Sequence, residues 1–358
     1  MSRSFTHQFA QIKNEFLSKG FSIVRIMSEH REMYTILFEG KEYKAEISGQ
    51  MQFNAETRAD FPAVGDYVAV HLFDEFSPAI IHGILPRRTK LTRKASGQTF
   101  EEQLIASNID IVFIIQSLDE NFNLRRLERY IVAVKESGAL PVILLSKADL
   151  LSQNDVETKT NEAKNAAAGF PVISYSAKSQ SHIEEIKTFI PPETTVCFIG
   201  SSGVGKSTLI NALVGEEVML TRKVREADAR GRHTTTHRQL FVLPNGGLVI
   251  DTPGMRELGL WNVDSSAVAD TFPEISNIAV NCRFTDCTHT HEPNCAVLNA
   301  VNSGTLDKSR YESYIKLVKE AEYIASKSDS TKQQERKAKE KQLGKTIKNY
   351  YKIRKGKK

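Results

Sequence analysis

The chain has little tryptophan (Trp261 alone), only four cysteines and no apolar run of the ~20 residues that a membrane helix needs. So few thiols, three of them between Cys282 and Cys295, argue against a disulfide framework and an oxidising compartment. The opening residues Met1-Ser-Arg-Ser-Phe-Thr-His7 lack the apolar stretch of a signal peptide, so the cytoplasm is the expected setting. No internal repeat is visible, which excludes a solenoid. What remains is ordinary globular composition, 40% hydrophobic and 25% charged over 358 residues. That length predicts two or three domains, each with its own core.

The formal charge of +5 conceals an asymmetry. Between Thr331 and Lys358 twelve lysines and arginines face only Glu335 and Glu340, a net +10 that leaves the rest of the chain at −5. Such a tail, with Tyr350 and Tyr351, reads as an arm for polyanions, RNA first among them. It has almost no large aliphatic residues, which argues against a membrane-surface helix.

The run Gly200, Ser201, Ser202, Gly203, Val204, Gly205, Lys206, Ser207, Thr208 fits G-x-x-x-x-G-K-[S/T]. A strand pattern with Val196, Phe198 and Ile199 precedes it, and Leu209, Ile210, Ala212 and Leu213 follow at helical spacing. Glycines let the backbone turn tightly and aim N–H groups at phosphate oxygens. Lys206 and the start of the helix add positive charge. Ser207 is placed to ligate Mg²⁺.

Asp251 closes the apolar stretch Leu248-Val249-Ile250, at the strand end where open α/β sheets bind ligands. It could hold Mg²⁺ through water, while Gly254, in Asp251-Thr252-Pro253-Gly254, frees a backbone N–H for a γ-phosphate. Between the two motifs lies Gly231-Arg232-His233-Thr234-Thr235-Thr236. One threonine of such a loop, Thr235 or else Thr234, is expected on Mg²⁺ while the γ-phosphate is present.

Base choice falls to Ser146, Lys147, Ala148 and Asp149, after the apolar run 141–145. One carboxylate accepts from both the ring N–H and the 2-amino group of guanine, a pair that adenine lacks. The Lys147 stem can lie across the base, and Ser176-Ala177-Lys178 can meet the base oxygen. Ser146 replaces the asparagine usual at this position, which weakens either a contact to the guanine N7/O6 edge or a brace of the loop. In an ordinary GTPase these base-reading elements follow the phosphate loop; here they precede it. The chain reads as a circularly permuted GTPase.

Cys282, Cys287, His289 and Cys295 have the spacing C-x4-C-x-H-x5-C, a ligand set for one closed, structural Zn²⁺. His291 competes with His289. Cys197, inside an apolar strand, reads as a core residue.

Strand patterns at 22–26, 34–38, 43–47, 67–72 and 79–85 suggest a small barrel, OB-fold or SH3-like on spacing alone. A short helix is predicted over 9–17, and the basic run 87–94 reads as a linker able to touch phosphates. From residue 109 to Asp251 helix and strand alternate, which predicts a parallel sheet. The expected architecture is an N-terminal OB barrel with a helix (1–95), a permuted α/β GTPase domain (96–262), a mostly helical zinc-binding domain (263–326) and a basic tail (327–358).

The permuted order, together with Pro62-Ala-Val-Gly-Asp66, the Gly231 to Thr236 run and the cysteine segment, resembles the bacterial ribosome small-subunit-dependent GTPase family, RsgA or YjeQ. The resemblance implies an OB barrel, a permuted GTPase domain and a zinc domain. It also implies binding to the small (30S) subunit late in its maturation, contact with rRNA, and GTP hydrolysis to GDP stimulated by the subunit. The position where Ras-like proteins carry a water-orienting glutamine is Met255 here, which predicts slow intrinsic turnover. His233 is the catalytic candidate to position water, as the family's equivalent histidine does. The competing reading is an RNA-binding assembly chaperone that uses GTP as a conformational ligand with negligible hydrolysis. A monomer with no membrane partner is expected.

Overall fold

The computed structural model describes residues 3–30, 33–73, 77–94, 102–214, 238–251 and 265–326. The basic tail, the 231–236 run and Gly254 lie outside the described residues.

Five strands form the N-terminal barrel: β1 (Ser22–His30), β2 (Met33–Phe38), β3 (Lys41–Ile47), β4 (Tyr67–His71) and β5 (Ala79–Ile84). Their order is β1-β2-β3-β5-β4, and β1 also pairs with β4, which closes the barrel. The β3–β5 pair is parallel and the others are antiparallel. This order is the OB arrangement, which decides between the two barrels that spacing left open. Registers Val24↔Val68, Ile26↔Ile36, Tyr34↔Ala45 and Ala45↔Ala79 place buried side chains on one shared inner face.

Helix α1 (Arg3–Ser18) is longer than the predicted 9–17. Phe5, Phe9 and Phe16 share a face at helical spacing. Phe9 meets Tyr67 of β4 edge-on at 5.7 Å and Phe16 meets Phe21 at 5.8 Å, so tertiary contact extends the helix. A further short helix, α2 (Gly49–Asn54), starts where Ser48 accepts from the Met51 N–H, and the strand pattern gave no sign of it.

The basic run 87–94 is not a free linker. Its second half is strand β6 (Lys90–Lys94), paired antiparallel with β7 (Glu102–Ser107). Arg87 turns inward and donates to the fully buried Asp66 at 2.7–3.1 Å and to the Ala59 and Phe61 carbonyls. Arg88 pairs with Asp110. Arg87 is thereby withdrawn from the surface, contrary to the sequence suggestion, while Arg88 stays partly exposed beside its acid.

Beyond the ribbon, β8 (Ile111–Ser117), β9 (Leu140–Ser146), β10 (Val172–Ser174), β11 (Thr195–Ile199), β12 (Gln239–Val242) and β13 (Leu248–Asp251) continue the sheet. The order is β10-β9-β8-β11-β13-β12, parallel throughout except for the β12–β13 pair. Every residue of β8 is buried. Alternation divides it between two cores, Val112 and Ile114 on one face, Ile111, Phe113 and Ile115 on the other. Helices α3 (Leu124–Glu136) and α4 (Gln153–Ala166) cover the first face; α5 (Ile183–Thr188) and α6 (Lys206–Val214) cover the second. Strand β12 also touches β1 through Ser28↔Gln239, so barrel and parallel sheet are hydrogen-bonded into one.

Four helices follow: α7 (Ser265–Thr271), α8 (Pro273–Ala279), α9 (Ala296–Asn302) and α10 (308–326). They pack on α3, which is apolar on two sides. Leu127, Tyr130, Ile131 and Val134 face the sheet, whereas Val132 joins the core of the C-terminal helices. Beside Val132 the buried Glu128 accepts from Arg310 at 2.6 Å and from Ser313. Arg310 also donates to Glu274 at 2.6 Å and lies 4.2 Å above the Phe272 ring.

The junction between barrel and sheet is polar and fully engaged. Gly65 has φ +94°, and a Cβ there would lie 2.2 Å from the Ser107 carbonyl oxygen, so only glycine permits this approach. Arg25, its guanidinium lowered by burial, donates to Gly65 O, Asn108 O and Thr195 Oγ1 at 2.8–3.1 Å. Removing one member of a buried ion pair strands the other. Arg87→Ala should therefore lower unfolding stability by roughly 3–5 kcal/mol, read as a shift in the urea midpoint, whereas truncation of exposed Arg58 should not.

Candidate functional site

Every nucleotide-site motif that the sequence singled out among the described residues lies at or just past the carboxyl end of a strand, on the same side of the sheet. Gly200 follows β11, Ser146 ends β9, Ser176 lies two residues past β10 and Asp251 ends β13. Parallel register enforces this: Ser117↔Ser146, Ile199↔Ile114 and Cys197↔Ile250 keep the carboxyl ends level.

The loop 200–205 takes three positive φ angles, at Gly200 (152°), Gly203 (79°) and Gly205 (96°). A Cβ on Gly200 would sit 2.4 Å from the Ile115 carbonyl oxygen, so the glycine also lets the loop leave the sheet. Lys206 opens α6 and bends back, its Nζ donating to the carbonyls of Gly200 (2.5 Å) and Ser201 (2.9 Å). Its charge thereby rides over the loop that the N–H groups line. Ser207 and Thr208 follow in the first turn of α6, and the buried Ser201 Oγ has no hydrogen-bond partner among the described residues.

Ser146 is 2% exposed, and its Oγ donates to the Val204 carbonyl at 2.6 Å. The segments that the sequence assigned to base and phosphate, 58 residues apart, are thus joined directly. Of the two losses that serine suggested, the brace is not lost. Lys147 adopts φ 63° and pairs with Asp119 at 2.7 Å. Burial pushes the Asp119 carboxyl up, but hydrogen bonds from Lys147, Ser117 and the Asn121 N–H outweigh it and hold it below the usual carboxylate range. Asp149 is exposed and accepts from Ser176 Oγ at 2.6 Å, which fixes one carboxylate oxygen and turns the other outward. Ala148 N–H reaches Tyr175 O at 3.2 Å; Ala177 is half-buried and Lys178 exposed. Asp119 and Gln116 were missed by the sequence reading. An acidic residue two positions past the end of a buried strand was the available signal.

Asp251 carries an oxygen donor at the end of β13, opposite Gln239. With the Ser207 hydroxyl it supplies hard oxygen ligands, the donor chemistry that suits Mg²⁺. His233, Thr234, Thr235, Gly254 and Met255 lie outside the described residues.

In the C-terminal helices, one ligand atom each from Cys282, Cys287, His289 and Cys295 lies within 4.8 Å of the others. The Cys282–Cys295 sulfur separation is 3.8 Å, and His289 Nδ1 lies 3.6 and 3.5 Å from the same two sulfurs. Tetrahedral ligands at ~2.3 Å from a metal are spaced about 3.8 Å apart, so the cluster could hold one metal ion. All three cysteines are free thiols. His289 takes φ 58° and is held by Tyr311, whose hydroxyl donates to its carbonyl at 2.7 Å. His291 instead meets Thr290, outside the cluster. Burial pushes the Cys287 thiol up to about 12. At Cys282 burial acts the same way but is outweighed by the N–H groups of Ala296 and Val297, which lower it.

A family model described as RsgA GTPase matches residues 84–261, and one described as 50S ribosome-binding GTPase matches 195–349. A protein of Opitutus terrae, named small ribosomal subunit biogenesis GTPase RsgA, is 45% identical over 90% of this chain and 89% of its own. The chain belongs to the RsgA GTPase family. A second RsgA relative, from Oceanobacillus iheyensis, is also 45% identical, over 86% of this chain and 87% of its own. Among solved structures, YjeQ from Thermotoga maritima aligns with TM-score 0.64 at 27% identity, over 84% of this chain and 98% of its own. YloQ, titled a circularly permuted GTPase, aligns with TM-score 0.61 at 25% identity, over 84% and 95%. GTP hydrolysis is accordingly the activity of this RsgA GTPase, and no described helix is long and apolar enough to cross a membrane.

The Asp119 carboxyl lies below its unfolded value, so its pairing stabilises fully above pH ~4 and is lost as pH falls through the folded value. Asp119→Asn should cost roughly 0.5–1 kcal/mol at pH 7 for this part-exposed pair, and progressively less as pH falls below about 4, measured by urea unfolding at pH 7 and pH 3. For the cysteine cluster, Cys282→Ser should lower bound metal from one ion per chain to a small fraction, measured by mass spectrometry of the purified protein.

Proposed function

We propose that this protein is a GTP hydrolase that acts on the small (30S) ribosomal subunit late in its biogenesis, and that its hydrolysis is switched on by the subunit. The observation that carries the guanine-nucleotide reading is the Ser146–Val204 bond, because it sets the base-reading and phosphate-reading loops side by side. The relatives' names supply the subunit.

In this reading the N–H groups of 200–206 cradle the β- and γ-phosphates, and Lys206 exchanges its two carbonyl partners for phosphate oxygen. The Lys147 stem covers the base plane with its ammonium on Asp119. Asp149 takes the guanine N1 and 2-amino protons, with Ser176 fixing its orientation. Ser207, Asp251 and one of Thr235 or Thr234 would hold Mg²⁺, which supplies charge neutralisation at the phosphates. Met255 offers no hydrogen bond to an attacking water, so His233 is the side chain assigned to orient it. Slow turnover in isolation follows, and bound subunit is what places that loop. Cys282, Cys287, His289 and Cys295 hold one structural Zn²⁺, whose donors leave no open position for chemistry. The barrel and the basic tail contact rRNA, the protein works as a monomer, and the cytoplasm is its compartment.

Multiple-turnover phosphate release should rise on the order of tenfold or more when purified small subunits are added, and should not rise with large subunits. Lys206→Ala and Asp149→Ala should each weaken GTP binding by roughly a hundredfold. Equal stimulation by both subunits would overturn the proposed partner, and GTP binding untouched by Asp149→Ala would overturn the base assignment.

A further inference from the structure

We propose that Ser146 makes this site blind to N7 of guanine while keeping the phosphate loop in place, so that nucleotides altered at N7 are accepted as readily as GTP. The inference rests on the assignment of 146–149 to the guanine base and refines it.

Ser146 ends β9 with its side chain buried, and its hydroxyl has one proton to give. That proton goes to the Val204 carbonyl at 2.6 Å; the alternative acceptor, Gln116 O, lies at 3.3 Å. Both of these are carbonyl oxygens, so the hydroxyl proton is held between two acceptors, with the buried Tyr175 hydroxyl as a further neighbour. N7 of a purine is itself an acceptor and needs a donor. The remaining lone pairs of Ser146 Oγ cannot serve it. An asparagine amide has two N–H groups and can serve both, one to a backbone carbonyl and one to the base.

Adjacent donors are committed elsewhere. Ser176 Oγ points to Asp149 and Lys147 Nζ to Asp119. The carboxylate of Asp149 reads the opposite, N1 and 2-amino edge. In this reading Asp149 takes the N1 and 2-amino edge, 176–178 meet the base oxygen, and position 146 acts on affinity only through the geometry of the loop at Val204. Ser146 is a positioning residue.

The test is a calorimetric titration of the full chain with GTP, 7-deaza-GTP and ATP. The wild-type protein should bind 7-deaza-GTP within about twofold of GTP, with ATP far weaker. Ser146→Asn should create a preference for GTP over 7-deaza-GTP of about threefold to tenfold. Ser146→Ala should weaken both guanine nucleotides by the same factor, again about threefold to tenfold. A wild-type loss of about tenfold or more with 7-deaza-GTP would overturn N7 blindness, and undiminished binding by Ser146→Ala would overturn the positioning role. Should Ser146→Asn fail to fold, the wild-type comparison decides the first claim and Ser146→Ala the second. Failure of the underlying base assignment is distinguishable, because ATP would then bind as tightly as GTP.

Discussion

The whole arrangement depends on β11 being hydrogen-bonded on both sides, to β8 made long before it and to β13 made after it. A strand between two parallel neighbours has its backbone groups paired and its side chains buried, so its position along the strand axis is fixed. All five residues of β11 are buried. That fixation is what aims the glycine loop. A one-residue slip would turn Phe198, which stacks on Phe113 at 5.2 Å, to the other face and lift Gly200 away from Ile115. The same register brings Ser146 and Asp251 to the edge of the sheet where the loop begins. The segments proposed to read phosphate and base thus owe their places to one alignment.

Around that centre, apolar cores hold the protein together, and a few buried polar contacts fix how its parts dock. Asp66 with Arg87 and Ser107 locks the barrel beneath the sheet, and Glu128 with Arg310 and Ser313 locks the C-terminal helices onto α3. Buried charge of this kind contributes little net stability but penalises any other docking geometry, because a misplaced partner leaves an ion unpaired. The C-terminal helices therefore follow α3, whose first turn is capped by Asn123 and tied through Gln116 to the end of β8. They are mechanically connected to the side of the sheet that carries Asp119 and Lys147.

Residues whose chemistry demands a particular type at a particular spacing could be read directly. Glycine and lysine at 200–206, the carboxylate at 149 and the thiols at 282, 287 and 295 belong to this group. The barrel strands were legible from alternation, yet the choice of OB order was not, because the parallel β3–β5 pairing is long-range and leaves no local trace. Arg87 and Arg88 looked like phosphate ligands because a basic run does not reveal its own acids; Asp66 and Asp110 lie elsewhere in the chain. His291 competed with the favoured His289, and the fold settles the choice by bringing His289 among the three cysteines through a left-handed turn held by Tyr311. The role of Ser146 was hidden for the same reason as Asp119: each depends on a partner brought near only by the sheet.

The permuted order has a consequence for how the molecule is made. A ribosome synthesising this chain releases β8, β9 and β10, with their helices, before β11 exists. Until Thr195–Ile199 emerges, one edge of β8 has no partner, although every one of its residues is buried in the end. An open edge of that kind invites wrong pairing between nascent chains, a hazard that grows with the time spent waiting. Vectorial synthesis thus leaves one side of the sheet's interior open for the whole stretch of chain between Ser117 and Thr195.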